Sequence, residues 1–197
     1  MSALMEEILA YNRAFVASGA CVHYDCSKYP DKKLAVVSCM DTRLIELLPA
    51  AMGLKNGDFK LIKNAGAIIS HPFGSGMRSL LVAVYRLKVE VIAVVGHHDC
   101  GMQGLESKQI IEAMLERGVK RQAIDLLNYC GFDLEYWLRG FDNANEAVQA
   151  TMDMILHHPL MPADIPVYGF LIDPHNGHLD TVAASDTQRR LVKPWTA

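Results

Sequence analysis

Residues 91–95, VIAVV, give the clearest indication of the fold class. This continuous apolar run leads directly into the polar loop GHHDCGM at 96–102. A short run of β-branched residues without polar alternation is typical of a strand that is buried on both faces. Three similar runs follow the same rule: LAVVS at 34–38, FKLI at 59–62 and VYGFLI at 167–172. The sequence therefore predicts four buried strands.

Longer segments with helical periodicity separate these runs. One helix is expected to begin at Asn143, because Glu146 three residues later makes a start like a capping box, and to end before Pro159. Alternating strands and helices predict a three-layer α/β domain, with helices on both faces of a mainly parallel sheet. The other predicted helices are LIELLPAAMG at 44–53, GMRSLLVAVYRLK at 76–88 and SKQIIEAMLERG at 107–118.

The predicted sheet has four strands in the order 2-1-3-4. The segment GHLDTVA at 177–183 follows a turn-rich stretch, DPHN, and alternates in polarity. It is expected to add a short antiparallel edge strand after the fourth strand. If the first and third strands are neighbours, their carboxyl ends open into one crevice, where ligands gather in sheets of this kind.

Length and composition predict a single domain over residues 1–197. A formal net charge of -3 without long charged runs gives no surface suited to nucleic acid. Residues 1–20 lack the basic and apolar regions of a signal peptide and are predicted to form an amphipathic helix. No stretch approaches the ~18 apolar residues of a membrane span. We therefore expect a cytoplasmic protein without membrane or nucleic-acid partners.

Reactive side chains follow two of the predicted strands. Cys39 ends the first, and His97 and Cys100 follow the third. Two thiolates and one imidazole are a ligand set for zinc with an open fourth position. The sequence thus predicts one Zn²⁺ per chain on Cys39, His97 and Cys100. His98 is a less favoured ligand, because it is only two residues from Cys100 and would need a tighter bend.

Asp41 and Arg43 lie close to Cys39 in the sequence. A carboxylate near the metal can accept a hydrogen bond from a reacting group, and a guanidinium can hold that carboxylate ionised and oriented. These two residues are predicted to act as an orienting pair.

Each of these features also has an ordinary structural explanation. A cysteine at a strand end is usually packing, a His-His pair is usually a solvated loop, and an Asp-x-Arg pair is usually a surface ion pair. A phosphatase or sulfur transferase that uses Cys39 is a further alternative. It is disfavoured because only residues 40–42 separate the thiol from Arg43, and because His97 and Cys100 would then have no role.

Three motifs together resemble those of the beta-class carbonic anhydrases: CMDTR at 39–43, KNAG at 63–66 and GHHDCGM at 96–102. The similarity runs from about Leu34 to about Ala184. The resemblance implies reversible hydration of carbon dioxide to bicarbonate, with zinc on the three predicted ligands and the Asp41–Arg43 pair beside it. It also implies a homodimer or higher homo-oligomer with active sites near the interface, in which residues 1–20 pack on the partner.

The resemblance leaves two other functions open. Relatives of this family hydrolyse carbon disulfide or carbonyl sulfide, and a non-catalytic zinc-binding module would result if Asp41 closed the site. Lys63 stands where members with a regulatory bicarbonate pocket carry arginine, so such regulation is not expected. His98 and His71 are candidate proton shuttles. The backbone N–H groups of Gly66 and Gly101 are candidate donors to a developing anion.

Overall fold

The computed structural model describes residues 2–185 and contains a five-stranded sheet in the order β2-β1-β3-β4-β5. Neighbouring strands from β1 to β4 are parallel, and β5 is antiparallel to β4. The predicted α/β class, strand order and antiparallel edge strand are confirmed. Met1 and residues 186–197 of the predicted domain lie outside the described residues. The strands are β1 Leu34–Cys39, β2 Phe59–Asn64, β3 Val91–His97, β4 Val167–Ile172 and β5 Leu179–Ser185.

Seven α-helices accompany the sheet in the described part of the chain. The helix predicted from Asn143 forms as expected, because the Asn143 side chain accepts hydrogen bonds from the N–H groups of Asn145 and Glu146. The sequence did not predict α5 and α6. The helices are α1 Ala3–Ala17, α2 Leu47–Ala51, α3 Ser75–Leu87, α4 Ser107–Glu116, α5 Arg121–Tyr129, α6 Leu134–Leu138 and α7 Ala144–Leu156.

The prediction of one helix over residues 44–53 was wrong in its extent. The chain forms a 3-10 turn at Thr42–Leu44, and α2 begins only at Leu47. Pro49 has no N–H to donate and is tolerated only in the first helical turn, so the helix begins shortly before it. The 3-10 turn keeps Arg43 close to the end of β1.

Helices cover both faces of the sheet, and the side chains of β1 and β3 alternate between them. Ala35 and Val37 face one apolar cluster, which contains residues of α3 and α7. Val36 faces the other, in which Leu44 and Leu48 pack beside Cys39 and Cys100. Successive side chains along each strand point to opposite faces of the sheet, which produces this division. Both thiols lie at the edge of one of the two buried apolar layers.

Gly96 lies inside β3 and allows a close approach of the neighbouring elements. A Cβ at this position would lie 2.8 Å from Cγ2 of Val148 and 2.9 Å from Cδ2 of Leu171. Those distances are shorter than ordinary van der Waals contact. The absence of a side chain therefore lets α7 pack directly against the strand that carries His97.

None of the helices among residues 2–185 combines the length and hydrophobicity needed to span a membrane.

Candidate metal centre

Neighbouring parallel strands bring the three predicted ligands together. β1 pairs with β3, with Ser38 opposite Val95, so the ends of both strands open at the same edge of the sheet. The Sγ atoms of Cys39 and Cys100 are 3.9 Å apart. The ligand atoms of Cys39, His97 and Cys100 all lie within 4.8 Å of one another, and the three residues are buried.

The orientation of His97 is fixed by its own loop. Its Nδ1 lies 2.8 Å from the carbonyl oxygen of His98, to which it donates when that nitrogen carries the proton. Nε2 then presents a lone pair, and it is buried with no hydrogen-bond partner among the described residues. An imidazole held at one nitrogen with the other nitrogen free is the arrangement typical of a histidine ligand.

The two thiols of the cluster are within hydrogen-bonding distance, and the contact shifts their pKa values in opposite directions. The hydrogen bond from Cys100, with smaller contributions from the neighbouring His97 and two backbone N–H groups, lowers the pKa of Cys39 despite its burial. The same hydrogen bond, together with burial, raises the pKa of Cys100. Burial opposes ionisation of His97, but the adjacent Cys39 thiolate raises the pKa of His97 overall.

These donors fit a zinc ion. Two soft sulfurs and one unpartnered imidazole nitrogen converge in a buried site, and zinc binds both of these ligand types. A zinc ion held by these three side chains would have room for one further ligand, water or substrate, which distinguishes catalytic from structural zinc sites.

Arg43 holds the side chain of Asp41 beside this cluster. Its Nε donates to Oδ1 of Asp41 at 3.0 Å and its Nη2 donates to Oδ2 at 2.8 Å, while the backbone N–H of Arg43 donates to Oδ1 at 2.9 Å. The Arg43 side chain, more than any other group, lowers the pKa of Asp41 to about 2. Asp41 and Arg43 thus form a bidentate ion pair.

Asp41 points toward the cluster but does not join it by a hydrogen bond. Its Oδ2 lies 3.9 Å from Nε2 of His97, which is beyond hydrogen-bonding distance. The carboxylate is therefore near enough to contact a molecule in the fourth position. In this conformation its two oxygens are engaged by Arg43.

Gly66 and Lys63, two residues singled out in the sequence, both make hydrogen bonds near the cluster. Gly66, at φ +79°, directs its backbone N–H to Sγ of Cys39 at 3.4 Å, so this donor serves the thiolate and not an anion. Lys63 donates from Nζ to the carbonyl of Leu44 at 3.4 Å, and partial burial lowers its pKa. Lys63 thus has a structural contact of its own near the site.

The two candidate proton shuttles, His98 and His71, lie outside the cluster, and His98 was also the less favoured ligand. The side chain of His98 is exposed, and its Nε2 is 3.7 Å from Oδ2 of Asp180. His71 accepts a hydrogen bond at Nδ1 from the N–H of Phe73 within its own loop. Neither contact ties these imidazoles to the three ligand atoms.

Sequence reasoning missed one polar partner of the site, Asp99. Its carboxylate and its carbonyl both accept hydrogen bonds from Arg43, at 2.8 and 2.9 Å. Asp99 has φ +53°, and aspartate is one of the few residues enriched there. An aspartate in the short loop between two ligands was the only signal in the sequence, and it does not identify a partner.

Comparison with known proteins agrees with this site. The family model described as carbonic anhydrase matches residues 34–179, which include all the residues discussed above as ligands or orienting pair. The chain therefore belongs to the beta-carbonic anhydrase family, whose members are zinc enzymes.

Two proteins of Bacillus subtilis (strain 168), YvdA and YtiB, carry provisional names as carbonic anhydrases. YvdA is 52% identical over 178 residues, covering 90% of both chains. YtiB is 49% identical over 179 residues, covering 91% of this chain and 96% of its own. Beta-carbonic anhydrase isoform I from Trichomonas vaginalis, known from a crystal structure, is 33% identical in sequence and superposes with a TM-score of 0.84. The match covers 94% of this chain and 100% of that chain.

A more distant relative carries a different name. A protein named carbon disulfide hydrolase, from Acidithiobacillus thiooxidans, is 24% identical over 157 residues and covers 76% of each chain.

Proposed function

We propose that this protein is a carbonic anhydrase that hydrates carbon dioxide reversibly to bicarbonate and a proton, with one zinc ion on Cys39, His97 and Cys100. The observation that carries this proposal is the ionised Asp41, whose Oδ2 lies 3.9 Å from the unpartnered Nε2 of His97. A purely structural site has no need for an oriented carboxylate beside an open position.

Asp41 and Arg43 have separate roles in the proposed reaction. Zinc, when bound, supplies a Lewis acid that lowers the pKa of water in the fourth position toward neutrality. Asp41 accepts a hydrogen bond from the attacking oxygen and so turns a lone pair toward the carbon of carbon dioxide. Because Arg43 keeps Asp41 ionised, the carboxylate can only accept hydrogen bonds, which fixes the orientation of the nucleophile.

Arg43 also keeps the site open. Its two hydrogen bonds to the Asp41 oxygens hold the carboxylate away from the three ligand atoms. Loss of this hold would let Asp41 become a fourth ligand and exclude the reacting water. The bidentate pair therefore supports an active site in preference to a closed, non-catalytic one.

We further propose that the smallest active unit is a homodimer, located in the cytoplasm. In α1 every residue except the half-buried Phe15 is exposed, and the exposed residues include Leu4, Ile8 and Tyr11 at helical spacing. An apolar stripe of this kind requires a partner surface. A second copy of the chain, as the family resemblance implies, would cover it.

Hydrolysis of carbon disulfide is the second candidate function, because relatives at about a quarter identity carry that name. The same ligand set and oriented carboxylate would serve both reactions. Access of the substrate to the open position would separate them.

Stopped-flow hydration of carbon dioxide, run beside an assay for sulfide release from carbon disulfide, tests the proposal. The zinc-loaded wild type is compared with Cys39→Ala as an inactive control and Cys130→Ala as a matched control, since Cys130 is exposed on the surface. We expect hydration by the wild type and Cys130→Ala and none by Cys39→Ala. Sulfide release without hydration between about pH 7 and 9 would replace the first function by the second.

A further inference from the structure

We propose that Asp99 is a positioning residue for the orienting pair: it fixes the guanidinium of Arg43 and, through it, the carboxylate of Asp41. Asp99 lies in the loop between His97 and Cys100. The structural part of this inference stands on hydrogen bonds alone, and its consequence for catalysis rests on the function proposed above.

The guanidinium of Arg43 is held on two edges. One edge grips both oxygens of Asp41 through Nε and Nη2. On the other side Nη1 donates to Oδ2 of Asp99 at 2.8 Å, and Nη2 donates to the carbonyl oxygen of Asp99 at 2.9 Å. Because a guanidinium is planar and rigid, acceptors that fix one edge also fix the other.

The backbone of Asp99 makes this double contact possible. At φ +53° it adopts the left-handed conformation, in which its carboxylate and its carbonyl meet the same guanidinium. The loop that brings His97 and Cys100 to one point therefore also carries the second anchor of Arg43. Asp99 in this way connects the segment from Cys39 to Arg43 with the segment from His97 to Cys100.

The contact of Asp99 with Arg43 matters because Asp41 lies so close to the cluster. Its Oδ2 is only 3.9 Å from Nε2 of His97, so a small rotation would bring the carboxylate into the open position of the cluster. Without the Asp99 carboxylate, Arg43 would keep its hydrogen bonds to Asp41 but only the backbone contact to Asp99. The guanidinium would then move more easily together with the Asp41 carboxylate. The carboxylate of Asp99 is exposed, so it contributes very little to the free energy of unfolding. Its contribution is to the position of the Arg43 guanidinium.

Two substitutions separate the carboxylate from the backbone conformation. Asp99→Gly removes the side chain and tolerates positive φ, so the carbonyl contact can remain. Asp99→Asn keeps an oxygen acceptor in place and serves as the conservative rescue. Asp125→Asn, at an exposed position on α5, is the matched control.

The test uses the zinc-loaded full-length protein and two readouts. In ¹⁵N-resolved NMR, the Nε–H signal of Arg43, assigned by its loss in Arg43→Lys, reports how firmly the guanidinium is held. We expect Asp99→Gly to speed its exchange with water about tenfold and to lower kcat about tenfold with KM unchanged, since partners that orient an active group contribute ~10–100-fold. Asp99→Asn should lie between Asp99→Gly and the wild type, and Asp125→Asn should match the wild type.

A double variant decides whether Asp99 acts through Arg43. In an Arg43→Ala background, Asp99→Gly should lower kcat no further. An equal loss in that background, or unchanged exchange and unchanged kcat in both Asp99 variants, would overturn the proposal. If the wild type hydrates no carbon dioxide, the proposed function fails while the exchange of the Arg43 signal still tests the positioning.

Discussion

Oδ2 of Asp41 lies 3.9 Å from Nε2 of His97, and the same oxygen accepts a hydrogen bond from Arg43 at 2.8 Å. The carboxylate thus adjoins the ligand cluster without belonging to it. This relationship separates two proposed roles that the sequence places close together: three residues proposed to hold the metal, and a pair proposed to act on what binds there.

Asp41→Asn should keep zinc and lose most of the hydration rate. The amide retains the size of the side chain but can donate as well as accept, so the nucleophile is no longer oriented. We expect kcat to fall by roughly 100-fold or more, with unchanged metal content. Stopped-flow hydration and metal analysis on the same sample measure both, and loss of zinc in this variant would identify Asp41 as a ligand.

Arg43→Lys should lower kcat although the positive charge remains. The ammonium group lacks the planar fork that grips both oxygens of Asp41. A decrease of about tenfold or more is expected, as for other residues that orient an active group. Steady-state hydration kinetics check this, and full activity would show that charge alone is sufficient.

Gly96→Ala should destabilise the fold by about 1–3 kcal/mol, the usual cost of overpacking. The added Cβ would meet Val148 at 2.8 Å and Leu171 at 2.9 Å, and both are buried. Denaturant unfolding measures the change. Gly101→Ala is the control, because nothing lies within 4 Å of its added Cβ. Equal stability of the two variants would contradict the close packing of α7 on β3.

Ile8→Glu should weaken the proposed homodimer. Ile8 is 49% exposed on the apolar stripe of α1, and a charge there would have to be buried against the partner. Ala10→Glu introduces the same charge on the opposite side of the helix and should leave the dimer intact. Light scattering coupled to gel filtration gives the masses, and a wild-type monomer would contradict the dimer itself.

Much of the fold follows from the sequence because buried parallel strands have a simple pattern. The runs that became β1 and β3 contain almost only apolar residues, and the strands end at Cys39 and His97, two of the proposed ligands. The sequence analysis did not predict α5 and α6, which are only 9 and 5 residues long and bury one core residue each, Ile124 and Leu134. Helices this short complete fewer than three turns, so the apolar period is repeated too few times to identify a helix from the sequence.

The site was predictable only as far as residue types and spacing allow. Spacing favoured His97 over His98, and strand order brought Cys39 opposite Cys100. The contacts of Asp99 were not predictable, because they depend on a left-handed backbone conformation and on a guanidinium that comes from another segment. Gly66 was assigned to an anion, whereas its N–H binds the Cys39 sulfur, since spacing does not reveal the direction of a backbone donor.

Zinc analysis of two adjacent histidine variants by mass spectrometry tests the proposed ligand set directly. Cys39, His97 and Cys100 form the candidate ligand set, whereas the exposed imidazole of His98 lies outside it. The wild type and His98→Ala should each hold about one zinc per chain, and His97→Ala should lose it, because a site with two remaining ligands binds zinc far more weakly. Retention of zinc by His97→Ala together with its loss from His98→Ala would show that His98, and not His97, is the ligand.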